Sequence, residues 1–210
     1  MVEKEYNRFC VQERNEMKRE EKNQLTRSKI LNGAIREFSE HGFEAGSLNV
    51  ICEEQGISKG IIYHYFSSKE MLYLECIRTC QQKMIRYMNE HLENQDGDLL
   101  KRYFDCRSEY YRIHPDDARL FESAVLFPPE AVKKEIQETW NAFDERRKQL
   151  IRNGIRQIPL REELSEEEVV NLILKFLDDR NARHLSEKES GSEDEEALAL
   201  DIFLNGIRKR

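Results

Sequence analysis

The stretch SLNVICEEQGISKGIIYHYF, residues 47–66, predicts two short helices joined by a tight turn. Leu48, Ile51 and Cys52 recur at helical spacing and would form the buried side of the first helix. Gly56 follows where the chain must turn, and glycine adopts a positive φ without steric cost. This pattern is typical of a helix-turn-helix, whose helices meet through a short turn that often contains glycine.

The second helix of this pair has one apolar side and one polar side. Ile62 and Phe66 are four residues apart and share a face, whereas Lys59, Tyr63 and His64 lie on the other side. A short helix with an apolar back and such a polar front suits entry into the major groove of DNA. The alternative is an ordinary solvated face above a buried Ile62.

The neighbouring segments predict two further helices. TRSKILNGAIREFSEHGF (residues 26–43) predicts a helix that begins at Thr26 as N-cap and ends near Gly42. Its buried stripe would consist of Leu31, Ala34, Ile35 and Phe38. After the turn, Ser67-Ser68-Lys69-Glu70 matches a capping box that starts a long helix to about Asn94.

These segments, TRSKILNGAIREFSEHGF and GISKGIIYHYFSSKEML, resemble the DNA-binding segment of the TetR family of bacterial transcriptional regulators. The resemblance covers roughly the first third of the chain. It implies an all-α fold with an N-terminal three-helix DNA-binding head and a helical ligand-binding and dimerisation body. It further implies a homodimeric regulator, most often a repressor, that binds a palindromic double-stranded DNA operator and is released by a small-molecule effector.

The resemblance also implies a set of DNA contacts. Lysines and tyrosines suit phosphate oxygens, which hold the register of a protein on the duplex but carry little sequence information. Asparagine can pair bidentately with adenine. The expected DNA-binding residues are Ser47, Asn49, Lys59, Gly60, Tyr63, His64, Tyr65 and Lys69.

Three positions depart from the family pattern. Gly46 stands where the family usually has threonine, Val50 where an acidic residue is common, and Ile61 where a small polar residue is common. An exposed Ile61 would either touch a thymine methyl group or simply pack.

Charge argues against a nucleic-acid partner. The chain has a net charge of −7, and residues 25–75 hold five basic and seven acidic residues. DNA-binding domains are usually basic, so we expect modest, salt-sensitive affinity. The acidic head, Gly46 and Ile61 favour an alternative, a helical ligand-responsive protein whose head binds a protein partner rather than DNA.

Several other classes are disfavoured. The charged start has no apolar core of a signal peptide, and no apolar run approaches the ~20 residues of a membrane span, so we expect a cytoplasmic protein without a membrane partner. The five cysteines are expected to be free thiols in helical cores. We find no nucleophile–base pair, phosphate loop or metal-ligand spacing, so we expect no enzyme activity, cofactor or metal.

The organisation predicted is a polar N-terminal extension over residues 1–24, the DNA-binding domain over 25–75 and the regulatory and dimerisation domain over 76–210. The extension has balanced charge. A DNA-binding arm through Arg14, Lys18 and Arg19 is disfavoured by the glutamates between them.

Helices over residues 99–114, 116–127 and about 130–158 follow in the body. Aromatic and sulfur-containing residues are dense on them and on the connector helix. These residues either fill the core or line a pocket for an apolar or aromatic ligand. The candidate pocket residues are Cys80, Met84, Tyr87, Tyr103, Tyr110, Phe121, Trp140 and Phe143.

Two apolar helices end the chain. Ser165 is expected to cap the first of these helices. The segment over residues 186–196 is acidic and of low complexity, which predicts a mobile loop. The last helix is expected over residues 197–207. Both helices are apolar over a broad face, which predicts a four-helix bundle between two subunits, as in the family. The candidate dimerisation residues are Val170, Ile173, Leu174, Leu177, Leu200, Phe203 and Leu204.

Overall fold

The computed structural model describes the backbone of residues 2–92, 98–186 and 193–209, and the side chains of residues 17–92, 98–178 and 198–209. Within these ranges the chain is all-α, as predicted. The helices are α1 (Val2–Ala45), α2 (Leu48–Gln55), α3 (Lys59–Tyr65), α4 (Lys69–Leu92), α5 (Leu99–Ile113), α6 (Pro115–Leu126), α7 (Lys133–Ile155), α8 (Glu166–Ser186) and α9 (Glu193–Ile207). The chain divides into two compact units, Met1–Cys76 and Ile77–Arg210.

The core of the first unit lies between α1, α2 and the start of α4. The predicted stripe of α1 is buried, as are the apolar residues predicted for α2 and α3. Phe43 closes this core as expected, and its ring packs 5.1 Å from that of Tyr73 on α4. Phe38 contacts the same Tyr73 ring at 5.1 Å. The sequence did not single out Tyr73, which anchors α4 against the other helices of this unit.

Helix α1 differs from the prediction at its start. It is continuous from Val2, and the hydroxyl of Thr26 donates to the carbonyl of Lys22 at 2.9 Å. Thr26 therefore lies inside the helix and is not its N-cap, because charged residues with good helix propensity precede it. At the other end, the backbone leaves the helical conformation at Gly42, where φ is 72°. The prediction of an end near Gly42 is confirmed.

The start of α4 is also shifted by one residue. The amide of Met71 donates to the hydroxyl of Ser68 at 3.2 Å, so Ser68 is the N-cap. The predicted capping box from Ser67 to Glu70 is wrong, because two consecutive serines offer two possible caps. Glu70 instead pairs with Ser68, and this hydrogen bond lowers the pKa of the Glu70 carboxyl.

In the second unit, α5, α6, α7 and α8 pack around one core. Helix α5 approaches α7 closely, since a Cβ at Gly154 would lie 3.1 Å from the backbone of Leu100. The predicted helix over 130–158 begins as a 3-10 turn, Glu130–Val132, before α7. Pro129 occupies the N-cap position of this turn, where the missing amide hydrogen of proline costs no helical hydrogen bond.

Helices α8 and α9 begin at Glu166 and Glu193. Ser165 and Glu168 form a reciprocal capping box at α8, with the Ser165 amide 2.9 Å from the Glu168 carboxylate. Helix α9 starts at Glu193, four residues before the predicted 197, because glutamates are good helix formers and suit a helix N-terminus. Residues 187–192 of the predicted mobile loop lie outside the described ranges. Among the described residues, no helix is long and apolar enough to cross a membrane.

Candidate nucleic-acid interface

Helices α2 and α3 meet at the turn that the sequence predicts. Gly56 has φ 63° and ψ 39°, the left-handed conformation that favours glycine. The amide of Ile57 donates to the carbonyl of Cys52 at 3.0 Å, which closes the end of α2. Ser58 then occupies the N-cap position of α3, although its side chain makes no capping hydrogen bond. The turn fixes where the side chains of α3 point.

Helix α3 buries one line of residues and exposes the remainder. Ile62 is 1% exposed, and Phe66 at the helix end is also buried. With about 100° between successive residues, Gly60 and His64 lie opposite Ile62. Tyr63, which is 50% exposed, and Ile61, which is 37% exposed, lie on the two flanks between front and back.

The exposed front thus contains most of the predicted contact residues. Lys59 and Tyr63 share one flank of α3, Gly60 and His64 form its centre, and Asn49 is exposed on α2. These side chains include a cation, a phenol, an imidazole and an amide, which are donors suited to phosphate oxygens and base edges.

Three predicted contacts have partners within the head. Lys69 Nζ donates to the carbonyl of Glu44 at 3.1 Å and lies 4.9 Å from the Phe43 ring centre. Tyr65 Oη donates to Asn23 Oδ1 at 3.2 Å. Both side chains therefore connect elements of the head, and their contact with DNA stays a prediction.

Ser47, the third of these residues, is held by its backbone. Its side chain makes no capping bond at α2, although it occupies the N-cap position. Its amide donates instead to Oε1 of the buried Glu37 on α1, at 2.8 Å. The sequence did not identify Glu37, because nothing in the pattern distinguishes it from an exposed glutamate.

Two glycines near the motif have opposite surroundings. A Cβ at Gly46 would lie 2.5 Å from Phe38 Cδ1 and 2.7 Å from the carbonyl oxygen of Gly42. Gly46 therefore has no room for the threonine side chain usual in the family. A Cβ at Gly60 would meet only Ser58 Oγ, at 3.7 Å. The internal packing of the head therefore does not require a glycine at position 60.

Several acidic side chains of the head have partners within it. Glu54 forms an ion pair with Arg36, and Glu75 forms one with Arg27 at 2.5 Å. Glu37 is buried with its carboxylate on an amide. Because the two ion pairs also engage Arg27 and Arg36, the net charge of the head is unchanged, and Glu53 remains exposed.

The predicted pocket residues of the body separate into two aromatic groups. Phe121 lies 5.0 Å from both Trp140 and Phe143, measured between ring centres. Tyr87 lies 5.4 Å from Tyr110. The other candidates, Cys80, Met84 and Tyr103, are buried in the core.

A recess beside the first group encloses about 10 Å³, room for roughly one water molecule. Its lining consists of Phe121, Glu122, Val125, Leu126, Trp140 and Asp178. The recess joins two of the predicted pocket residues and does not reach the size of a ligand site.

The body also buries polar groups that the sequence did not reveal. Tyr110 Oη donates to Asp117 at 2.8 Å, and Lys83 Nζ lies 3.2 Å from the same carboxylate. Burial, assisted by Asp117, raises the pKa of Tyr110. Arg147 is buried over the Trp140 ring, 5.2 Å from its centre, with Asp178 at 3.5 Å. The burial of these polar groups depends on how the helices pack together, and their spacing along the chain does not indicate it.

The cysteines behave as predicted where the structure describes them. Cys52, Cys76, Cys80 and Cys106 are buried free thiols. Burial raises the pKa of Cys106 to about 11. Among the described residues, no cluster of three or more histidine, cysteine or acidic side chains is placed to hold a metal ion.

Most of the candidate dimerisation residues lie inside the subunit. Val170, Ile173, Leu174, Leu177, Leu200 and Leu204 are buried, and Phe203 stacks on Phe176 with ring centres 5.1 Å apart. Helix α8 buries its apolar side against α6 and α7. Exposed apolar side chains on α8 and α9 are Leu172, Leu198 and Ile202.

A helical body and a helix-turn-helix with an exposed polar front define a helix-turn-helix regulatory protein. Residues 30–76 match the model of the bacterial regulatory proteins of the tetR family, and residues 95–202 match the tetracyclin repressor-like C-terminal domain. The chain belongs to the TetR family.

The known proteins that it resembles are regulators. HTH-type transcriptional regulator UidR of Escherichia coli K12 is 41% identical over 70 residues, which are 33% of this chain and only 36% of UidR. The negative regulator of the icaADBC biofilm operon, IcaR of Staphylococcus epidermidis, is 28% identical over 159 residues, 72% of this chain and 80% of IcaR. The fold is similar to that of Bacillus subtilis FadR, solved in complex with stearoyl-CoA, with a TM-score of 0.67, 16% identity, and coverage of 86% and 99% of the two chains.

Proposed function

We propose that this protein is a cytoplasmic, sequence-specific DNA-binding transcriptional regulator that represses its target genes. The observation that carries the proposal is the orientation of α3, with Ile62 buried and Gly60, Tyr63 and His64 exposed. Its similarity to the negative regulator IcaR favours repression over activation. In this proposal α3 enters a major groove while Lys59 and Tyr63 bind backbone phosphates.

The proposed active form is a homodimer. Two copies of α3 related by two-fold symmetry would bind half-sites of a palindrome about 34–36 Å apart. Leu172, Leu198 and Ile202 supply the exposed apolar surface on α8 and α9 for such an interface. The residues first expected there, most of which are buried in the subunit, would support this surface from behind.

The dimer is tested by changing α9. Leu198→Glu combined with Ile202→Glu places two charges on the proposed interface and should give a monomer in sedimentation equilibrium with unchanged helical circular dichroism. Ile113→Glu is the matched control, because Ile113 is an exposed apolar residue on α5. A double variant that remains a dimer would exclude this interface.

A small-molecule effector is the second part of the proposal. FadR of Bacillus subtilis was solved with stearoyl-CoA, and the aromatic groups of this body offer apolar surface that suits an apolar ligand. The recess of about 10 Å³ would have to open for such a ligand to enter. To reverse a 99:1 balance between the binding and released forms, the ligand must prefer the released form by about 10⁴.

DNA binding is tested by selecting bound duplexes from a random pool. The wild-type protein should enrich a palindrome, and the double variant Lys59→Ala, Tyr63→Phe should lose most of this enrichment. Lys133→Ala on the body, which removes the same charge, should retain it. If the wild-type dimer enriches nothing at any salt concentration, the DNA proposal fails. A protein partner for the head then becomes the better explanation, and the exposed Val50 and Ile61 are its natural contact points.

A further inference from the structure

Ile61 is the apolar residue on the exposed part of α3. Its side chain is 37% exposed, whereas the adjacent Ile62 is 1% exposed, so the two isoleucines have different surroundings. Ile61 lies on the flank of α3 opposite Tyr63 and next to Gly60 and His64 at the front. The head covers part of Ile61 and leaves the remaining surface of this side chain open to a ligand.

The two flanks of α3 offer different chemistry to a ligand. One flank presents the Lys59 ammonium and the Tyr63 hydroxyl, which suit phosphate oxygens. The flank of Ile61 continues to Tyr65, whose hydroxyl already donates to Asn23 at 3.2 Å. This second flank therefore offers apolar surface instead of hydrogen-bond donors.

Only one group on a base edge matches such a surface in the major groove. The other edge groups are hydrogen-bond donors and acceptors, which an isoleucine cannot satisfy, whereas thymine presents its C5-methyl group. We propose that Ile61 is a specificity-determining residue that reads the methyl group of a thymine in each operator half-site. This assignment rests on the DNA-binding function proposed above, and it specifies thymine as a base that the protein selects.

Gly60 makes the contact sterically accessible. A Cβ at this position would project from the front of the helix and would touch only Ser58 Oγ, at 3.7 Å. Its absence lowers the surface next to Ile61, so that the isoleucine stands above its neighbour and can reach into the groove.

The test replaces thymidine with deoxyuridine, which removes the methyl group and leaves base pairing unchanged. Each thymine of the enriched half-site is replaced in turn, and Kd is measured for the wild-type protein and for Ile61→Ala. One replacement should weaken wild-type binding about fourfold, the value expected for one buried methyl group. The same replacement should leave the affinity of Ile61→Ala unchanged. Met71→Ala, which truncates an exposed apolar residue on α4, should respond to it like the wild type.

The outcomes separate this assignment from the DNA-binding proposal. If duplexes are enriched but no deoxyuridine replacement affects wild-type binding, Ile61 does not read a methyl group and only this assignment fails. It also fails if Ile61→Ala loses the same factor as the wild type. If no duplex is enriched at all, the DNA-binding proposal fails and this assignment falls with it. A repeat selection with Ile61→Ser should lose the preference for thymine at one position per half-site.

Discussion

Gly60→Ala separates the stability of the head from its affinity for DNA. Alanine is more favourable than glycine within a helix by about 0.5–1 kcal/mol. The added Cβ meets only Ser58 Oγ, at an ordinary contact distance of 3.7 Å. We therefore expect the free energy of unfolding to rise by up to about 1 kcal/mol, less if the position so near the start of α3 reduces the propensity effect.

The same methyl group should weaken DNA binding. It lies opposite the buried Ile62, on the surface proposed to face the bases. Inserting a methyl group into a well-packed contact costs about 1–3 kcal/mol, which corresponds to an increase in Kd of about 5- to 150-fold. Stability is measured by urea denaturation followed by circular dichroism, and affinity by fluorescence anisotropy with the selected operator.

Gly46→Ala is the matched control. It adds the same methyl group where Phe38 Cδ1 would be 2.5 Å away, and should lower the free energy of unfolding by about 1–3 kcal/mol. If Gly60→Ala binds the operator as tightly as the wild type, α3 does not approach DNA through this face. A loss of stability in Gly60→Ala would equally contradict the open surroundings of that position.

Three further predictions concern the head and the buried tyrosines. Lys59→Ala should reduce the slope of log affinity against log salt concentration by about 1. Lys69→Ala removes a hydrogen bond of 3.1 Å to a main-chain carbonyl, so it should mainly lower the urea midpoint. Equal effects of the two variants on the salt slope would contradict this distinction. Glu37→Ala should reduce the free energy of unfolding by about 1–3 kcal/mol, because it removes the acceptor for an amide at the start of α2. Urea denaturation tests this, with Glu40→Ala on the exposed side of α1 as the control variant. Burial raises the pKa of Tyr73 and Tyr110. These residues stay protonated in the folded protein while the unfolded chain ionises near pH 10, so stability should be complete below about pH 10 and fall above it. Urea midpoints that do not change between about pH 9 and pH 11 would contradict this reasoning.

The features predicted correctly depend on short spacing along the chain. Ile62 and Phe66 are four residues apart and share a buried face, and Gly56 adopts the positive φ that its turn requires. The N-cap at Ser165, which the sequence also predicted, is likewise local. Hydrophobic periodicity and capping signals contain enough information for such features.

Two roles that the sequence did not reveal depend on groups distant along the chain. Glu37 reaches the amide of Ser47 ten residues away, and Lys69 reaches the carbonyl of Glu44. A glutamate and a lysine have no pattern that distinguishes a buried or bonded role from an exposed one. Their roles become visible only when α1, α2 and α4 are packed together.

The apolar faces of α8 and α9 show a different limit. A broad apolar stripe indicates that this side of a helix is buried. It does not indicate whether the same subunit or a second subunit covers it. Leu177 and Leu204 are covered within the subunit, while Leu198 and Ile202 are exposed. Because both sets are leucine and isoleucine at helical spacing, the sequence alone did not distinguish the side chains that are covered within the subunit from those that remain exposed.

The position of Glu37 has a consequence for the order in which the head folds. Helix α2 has eight residues and α3 has seven, and isolated helices shorter than about 12–15 residues are marginal in water. The acceptor at the α2 N-terminus comes from α1, so it is available only after α1 has docked. A synthetic peptide of residues 47–66 should therefore be largely unstructured, because it lacks the α1 carboxylate and the core against which α2 and α3 pack.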